Sequence, residues 1–186
     1  MAVSEVSICN SAIAKIGGQR LVSLDDANER ARLFKDQYPK MRDELLYAHP
    51  WSFATKRAAP VAVVLPPNSL YEYKFQLPAD CLRVLEVEGR TSTWSTEEGF
   101  LITDHSDPII RYVAKITDVS KFSPAFSEVL AAKIAAECCY SLVQSVTLRS
   151  QLITEYEKSL RLARSYNAQE ASTERVYADN WLYSRY

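Results

Sequence analysis

Asp104-His105-Ser106-Asp107 places an acid, a base and a hydroxyl in four consecutive residues, the side-chain types that acyl-transfer chemistry uses. A triad needs those groups delivered from separate elements so that they converge in fixed roles, whereas neighbours in a turn point apart. The run therefore reads as a solvated turn between strands, its Asp and Ser side chains bonding nearby backbone. Glu97 and Glu98, taken with Asp104, raise a second chemistry. Glycoside hydrolysis needs two carboxylates about 5–10 Å apart and little else that a sequence reveals. With 23 acidic residues in the chain the signal has almost no specificity. It defines the enzymatic alternative, a polysaccharide- or peptidoglycan-degrading hydrolase working through Glu97, Glu98 or Asp104.

Other chemistries find less. The histidines are His49 and His105, and neither belongs to an HExxH or Cys/His cluster that could supply the ligands of a zinc site. Cys9, Cys81, Cys138 and Cys139 form no CxxC pair and read as reduced, partly buried thiols. Gly17-Gly18 ends a helix instead of opening one, so it is no phosphate loop. Trp51 and Phe53 could offer a stacking platform to nucleic acid, but they read better as a plug between helices and sheet. A net charge of −1, from 22 basic and 23 acidic residues, opposes a dedicated duplex-DNA binder. The expectation is a protein with no catalytic residue, no metal and no cofactor. Ser4-Glu5 stands where a secretory signal would be basic, and apolar runs such as 58–67 are too short and proline-rich to cross a bilayer, so no membrane is expected.

The elements that would position these residues follow from periodicity. Val6, Cys9, Ile13 and Ile16 predict a first helix, with Ser4 as N-cap and Gly17-Gly18 as its stop. Asp25-Asp26 opens a second helix along Ala27, Ala31, Phe34, Tyr38, Met41, Leu45 and Ala48, kinked at Pro39 and ended by Pro50. Between residues 51 and 116 the pattern becomes that of strands: an extended arm at 61–65, strands at 70–75 and 82–88, a turn at Gly89-Arg90 into 91–95, a turn at Glu98-Gly99 into 100–102, and a last strand at 108–113. Ser123-Pro124 starts a third helix, and a fourth begins near Leu148. The expected fold is α+β: an antiparallel four-helix bundle (1–50 and 117–172) with a small antiparallel sheet (51–116) inserted between its second and third helices.

Residues 173–186 form the expected extended tail. Trp181, Leu182, Tyr183, Arg185 and Tyr186 follow a polar spacer, and Trp, Tyr and Arg are the side chains that most often anchor protein contacts. The stretch reads either as a docking peptide for another molecule or as packing on its own domain.

Several segments together resemble a known family: the Ala-Ile-Ala-Lys-Ile-Gly-Gly that closes the first helix, 38–46, His49-Pro50-Trp51-Ser52-Phe53-Ala54, 75–84 with its Leu-Pro-x-Asp-Cys-Leu-Arg-Val, and 181–186. The combination is similar to the tail tubular protein A family, the head-to-tail adaptors of short-tailed bacteriophages. That resemblance implies a ring of about twelve copies beneath the portal protein, carrying the tail nozzle (tubular protein B), with double-stranded DNA passing through without specific binding. It implies residence in the virion, at the head–tail junction, after assembly in the host cytoplasm. It also implies that the tail, through Trp181, Leu182, Tyr183, Arg185 and Tyr186, docks along the portal.

Overall fold

Ser4 accepts a hydrogen bond from the Ser7 amide while the Ser7 hydroxyl accepts from the Ser4 amide, and this reciprocal cap starts α1 (Glu5–Ile16). Gly17, at φ 83°, ends it in the left-handed region that glycine enters without a Cβ penalty. The computed structural model describes residues 4–65, 69–88 and 93–170. α2 (Glu29–Ala48) begins later than the acidic pair suggested, because Asn28 accepts the Ala31 amide and is the cap. Asp26 instead accepts the Val22 and Ser23 amides, and Asp25 pairs with Lys35, so both acids shape the connection before the helix. α2 continues through Pro39 as a single helix and buries Phe34, Tyr38, Met41, Leu45 and Leu46.

α3 (Pro124–Val143) starts at Ser123 with proline in its first turn, as predicted, and α4 (Val146–Glu170) follows after Gln144 turns the chain in the left-handed region. The four-helix bundle expected from the sequence is not what forms. α1, α2 and α4 each pack on α3, while α1 and α2 barely touch. The reason lies in α3 itself. Val129 through Ala132, Ile134 through Ala136, and Cys138-Cys139 are all buried, so the middle of the helix is covered around most of its circumference, with Glu128, Glu137 and Tyr140 left exposed, and it serves as a hub. Its four consecutive-face alanines, read in sequence as aids to close packing, admit neighbours in three directions. α4, by contrast, buries fully only Leu152 and Ala163.

The single small sheet is also corrected: among the described residues seven strands make two antiparallel sheets. The strands are β1 (Thr55–Ala58), β2 (Val61–Val63), β3 (Tyr73–Gln76), β4 (Cys81–Glu88), β5 (Trp94–Glu97), β6 (Phe100–Thr103) and β7 (Ile109–Ala114). One sheet has the order β1-β7-β4, the other β2-β3-β6-β5. Among the described residues 82–88 and 93–95 do not pair as the expected hairpin; the turn itself, 89–92, lies outside them. β4 pairs with β7, from Cys81 opposite Ala114 to Glu88 opposite Ile109, whereas β5 pairs with β6 across the Glu98-Gly99 turn. That turn has positive φ at both residues, 52° and 83°, the geometry that lets two strands meet over two residues. The arm at 61–65 is in part the edge strand β2.

Helices and sheets share one buried cluster. Its aromatic centre is Trp51, which meets Phe126 edge-on at 5.2 Å and stacks on Phe53 at 6.3 Å, with Phe122 closing the group at 4.9 Å from Phe126. The Trp51 indole N–H donates to the Leu45 carbonyl at 2.9 Å, satisfying the end of α2. Trp51→Ala is expected to cost about 3–5 kcal/mol, the range for emptying a fully buried large aromatic site, read from urea unfolding.

Candidate functional site

The residues singled out at the chain's end, Trp181, Leu182, Tyr183, Arg185 and Tyr186, lie outside the described residues. Their root does not. The last turns of α4 are fastened to the segment that leaves α2: the Ser52 amide donates to Asn167 Oδ1 at 2.8 Å, the Asn167 Nδ2 group donates to the Pro50 carbonyl at 3.3 Å and lies 3.1 Å from His49 Nε2, and the Ser52 hydroxyl donates to Glu170 at 2.8 Å. Sequence reasoning missed Asn167, which sits in a helix face that reads as merely polar. Its one available signal is an amide side chain placed one helical turn past Ala163, the last buried residue of that helix.

The candidate acids are not brought together. Glu97 lies opposite Phe100 at one end of the β5–β6 hairpin, and Asp104 follows Thr103 beyond the other end. Four residues of strand separate them, roughly 13 Å at about 3.3 Å per residue. Asp104 is also engaged: one oxygen accepts the Glu72 amide and the other the Thr93 hydroxyl at 2.7 Å. Glu97 and Glu98 line an open groove of about 370 Å³ with Leu65, Tyr71 and Lys74. The 104–107 run is the self-bonded turn that its composition suggested: Thr103 Oγ1 accepts the His105 amide, His105 Nδ1 accepts the Asp107 amide, and the Ser106 hydroxyl donates to Asp107.

The two most distinctive sequence segments are structural joints. His49-Pro50-Trp51 carries the aromatic centre described above. In the second, Asp80 accepts from Tyr112 and from Lys56, at 2.7 Å for the ammonium, while its carbonyl accepts the Lys115 amide at 2.7 Å. The Lys56 hydrogen bond is the largest influence on Asp80 and holds its carboxyl below the ordinary range. One turn thus ties β4 to β1 and β7. A third joint, invisible in the sequence, is Arg42, only 5% exposed, whose Nε reaches Asp43 at 2.8 Å; Lys115 takes the other Asp43 oxygen at 2.8 Å.

The thiols are placed for packing. Cys9, Cys138 and Cys139 are buried, and burial pushes Cys9 and Cys138 up to about 12 and Cys81 to about 11, far from the thiolate a nucleophile needs. Among the described residues no three His, Cys, Asp or Glu side chains gather as a metal site would require, and no helix is long and apolar enough to cross a membrane.

What the surface does offer is contact area. An open groove of about 830 Å³ lies between the α1–α2 connection and the C-terminal end of α3, lined by Leu21, Val22, Asp26, Arg30, Arg32 and Leu142. Val22 is 90% exposed beside it, and Val143 and Val146 stand out from the turn between α3 and α4. At the far side of the second sheet Val61, Val64 and Leu70 are exposed on and after the edge strand. No protein-family model and no curated protein matches the chain.

The Arg42–Asp43–Lys115 joint makes a prediction with a sign. Burial alone would raise the Asp43 carboxyl, but hydrogen bonds from Arg42 and Lys115 outweigh it and hold it low. A carboxyl depressed in the folded state adds stability that is present above about pH 4 and lost as pH falls through the folded value. Asp43→Ala is therefore expected to cost about 3 kcal/mol at pH 7, because it leaves a buried guanidinium unpaired. Urea titrations at pH 7 and below pH 4 should show that deficit shrinking in acid.

Proposed function

We propose that this protein is a structural head-to-tail adaptor: a ring-forming subunit between a portal and a tail nozzle, acting by contact and without turnover. The observation that carries the reading is the fastened root of the C-terminal segment. α4 spans about 37 Å at 1.5 Å per residue over its 25 residues, and its end is hydrogen-bonded to the joint at Pro50 and Ser52. A peptide rich in Trp, Tyr and Arg that continues from a fixed root starts its search for a partner from a defined place. Less orientational freedom is then lost on docking than from a free chain.

Two further features support the reading. The polar groups that could do chemistry are occupied in turns and joints: Asp104, His105 and Asp80 each hold backbone or neighbouring side chains. Exposed apolar side chains stand in two separate groups, Val22, Val143 and Val146 at the connections between helices and Val61, Val64 and Leu70 at the second sheet, as a subunit with several neighbours requires. The near-neutral charge suits a channel through which double-stranded DNA must pass without being gripped. In this reading the partners are the portal protein, the nozzle and about eleven further copies of the chain, and the site of action is the virion. The hydrolase alternative draws no comparable support, since Asp104 is separated from Glu97 and Glu98.

Removing residues 173–186 is expected to leave the circular dichroism spectrum and thermal midpoint unchanged while abolishing co-sedimentation with purified portal rings. Trp181→Ala and Arg185→Ala are each expected to weaken docking by about 2 kcal/mol or more, roughly thirtyfold. Truncated protein that still docks at full strength would sink the tail's role. Turnover of cell-wall or capsular polysaccharide, lost on changing Glu97 or Glu98, would replace the adaptor reading altogether.

A further inference from the structure

The contacts around Asn167 fix more than a position. Its Oδ1 faces the Ser52 amide at 2.8 Å, a group that only donates, and its Nδ2 faces the Pro50 carbonyl at 3.3 Å, a group that only accepts. Each constraint alone sets the orientation of the amide, and the two agree. Nδ2 therefore presents a hydrogen to His49 Nε2 at 3.1 Å, and Nε2 must accept it. That arrangement calls for a neutral His49 with its ring proton on Nδ1. The ring is half-buried and held edge-on to Trp51 at 4.8 Å and 76°.

We infer that His49 and Asn167 form an acid-released latch on the C-terminal end of α4. A proton added at Nε2 sets N–H against N–H and removes the acceptor. It also places a charge beside two others, Arg164 from α4 and Arg83 from β4, whose guanidinium lies over the Tyr47 ring at 5.4 Å. Among the described residues the acid packed at this joint is Glu170, held by the Ser52 hydroxyl, and its charge favours the imidazolium. Burial, followed by Arg164 and Arg83, holds the His49 imidazole below its ordinary value, in keeping with the geometry.

The sign follows from linkage. A base whose folded value is depressed leaves stability intact above its unfolded value, about 6.5, and subtracts from it as pH falls below that point. The loss is local. Ala163 is the last fully buried residue of α4, and the positions from Arg164 to Glu170 are exposed or half-buried, so the joint at 49–52 is what holds that turn. The core helix α3 packs on Trp51 but takes part in none of the hydrogen bonds that hold Asn167 and Glu170. Opening the latch thus frees the root of the C-terminal segment while the body stays folded. The inference stands independently of whether that segment docks a portal.

Amide hydrogen exchange on the full chain, corrected for intrinsic rates, tests it between about pH 7.5 and pH 5. Protection across 164–170 is expected to fall by about tenfold per pH unit once His49 titrates, the slope of a single linked proton, while protection across 129–136 in α3 holds. His49→Gln keeps an amide oxygen for Asn167 and cannot titrate in this range, so its protection is expected to be flat with pH. Asn167→Ala is expected to show low protection across 164–170 already at pH 7.5, with no further slope. Wild-type protection that stays flat, a Gln variant that falls as steeply as the wild type, an Asn167→Ala variant that keeps the wild-type slope, or α3 losing protection in parallel would each overturn the latch.

Discussion

The rest of the structure depends on one short stretch, His49 to Phe53, where three requirements meet. Pro50 forces His49 out of the helical region, so α2 must end there. A helix end leaves carbonyls without partners, and the Trp51 indole N–H answers one of them, at Leu45. The same indole is 1% exposed and lies against Phe53 and against Phe126 near the start of α3. Thr55 then opens β1, the edge of the first sheet. One tryptophan therefore terminates a helix, seats the central helix and launches a sheet. Because α4 is fastened to the same stretch through Asn167, all four layers of the chain are referred to it.

The second organising constraint is electrostatic. Asp43 and Asp80 each collect two donors: Arg42, its chain neighbour, with the distant Lys115, and Lys56 with Tyr112, from β1 and β7. Neither arrangement suits a catalyst, because a carboxylate held between two donors is neither a strong base nor free to move. Each suits a subunit that must keep sheet and helices in fixed relation. Lys15 does likewise within the helices, reaching Glu128 on α3 and Glu155 on α4. In the adaptor reading proposed above, joints of this kind matter more than any cleft.

Local signals were legible and non-local ones were not. The caps at Ser4 and Ser123, the stop at Gly17, the Glu98-Gly99 turn and the plug role of Trp51 are each decided within a few residues, and each stands as the sequence predicted. The partner of β4 is decided by residues some twenty-five positions away, in β7, and adjacency in sequence misled. The hub role of α3 was likewise obscured: a helix covered around most of its circumference and one buried along a wide stripe differ by a few alanines whose burial depends on what arrives later. The candidate acids failed for a related reason. Their types were correct for hydrolysis, but a two-residue turn puts Glu97 and Asp104 at opposite ends of one hairpin.

The fate of the distinctive motifs bears on how a resemblance should be weighed. His-Pro-Trp-x-Phe-Ala and Leu-Pro-x-Asp-Cys-Leu-Arg-Val are specific strings because geometry at a joint is unforgiving. A proline must end a helix, an indole must reach a carbonyl, an aspartate must accept from two strands at once. In this chain such strings serve the joints and not the surfaces that would contact a partner. What separates an adaptor from another use of the same body is therefore the exposed set, Val22, Val143, Val64 and Leu70 among the described residues, together with the aromatic segment that continues from α4. Those positions face no internal constraint, and so they are where a change of partner would be written.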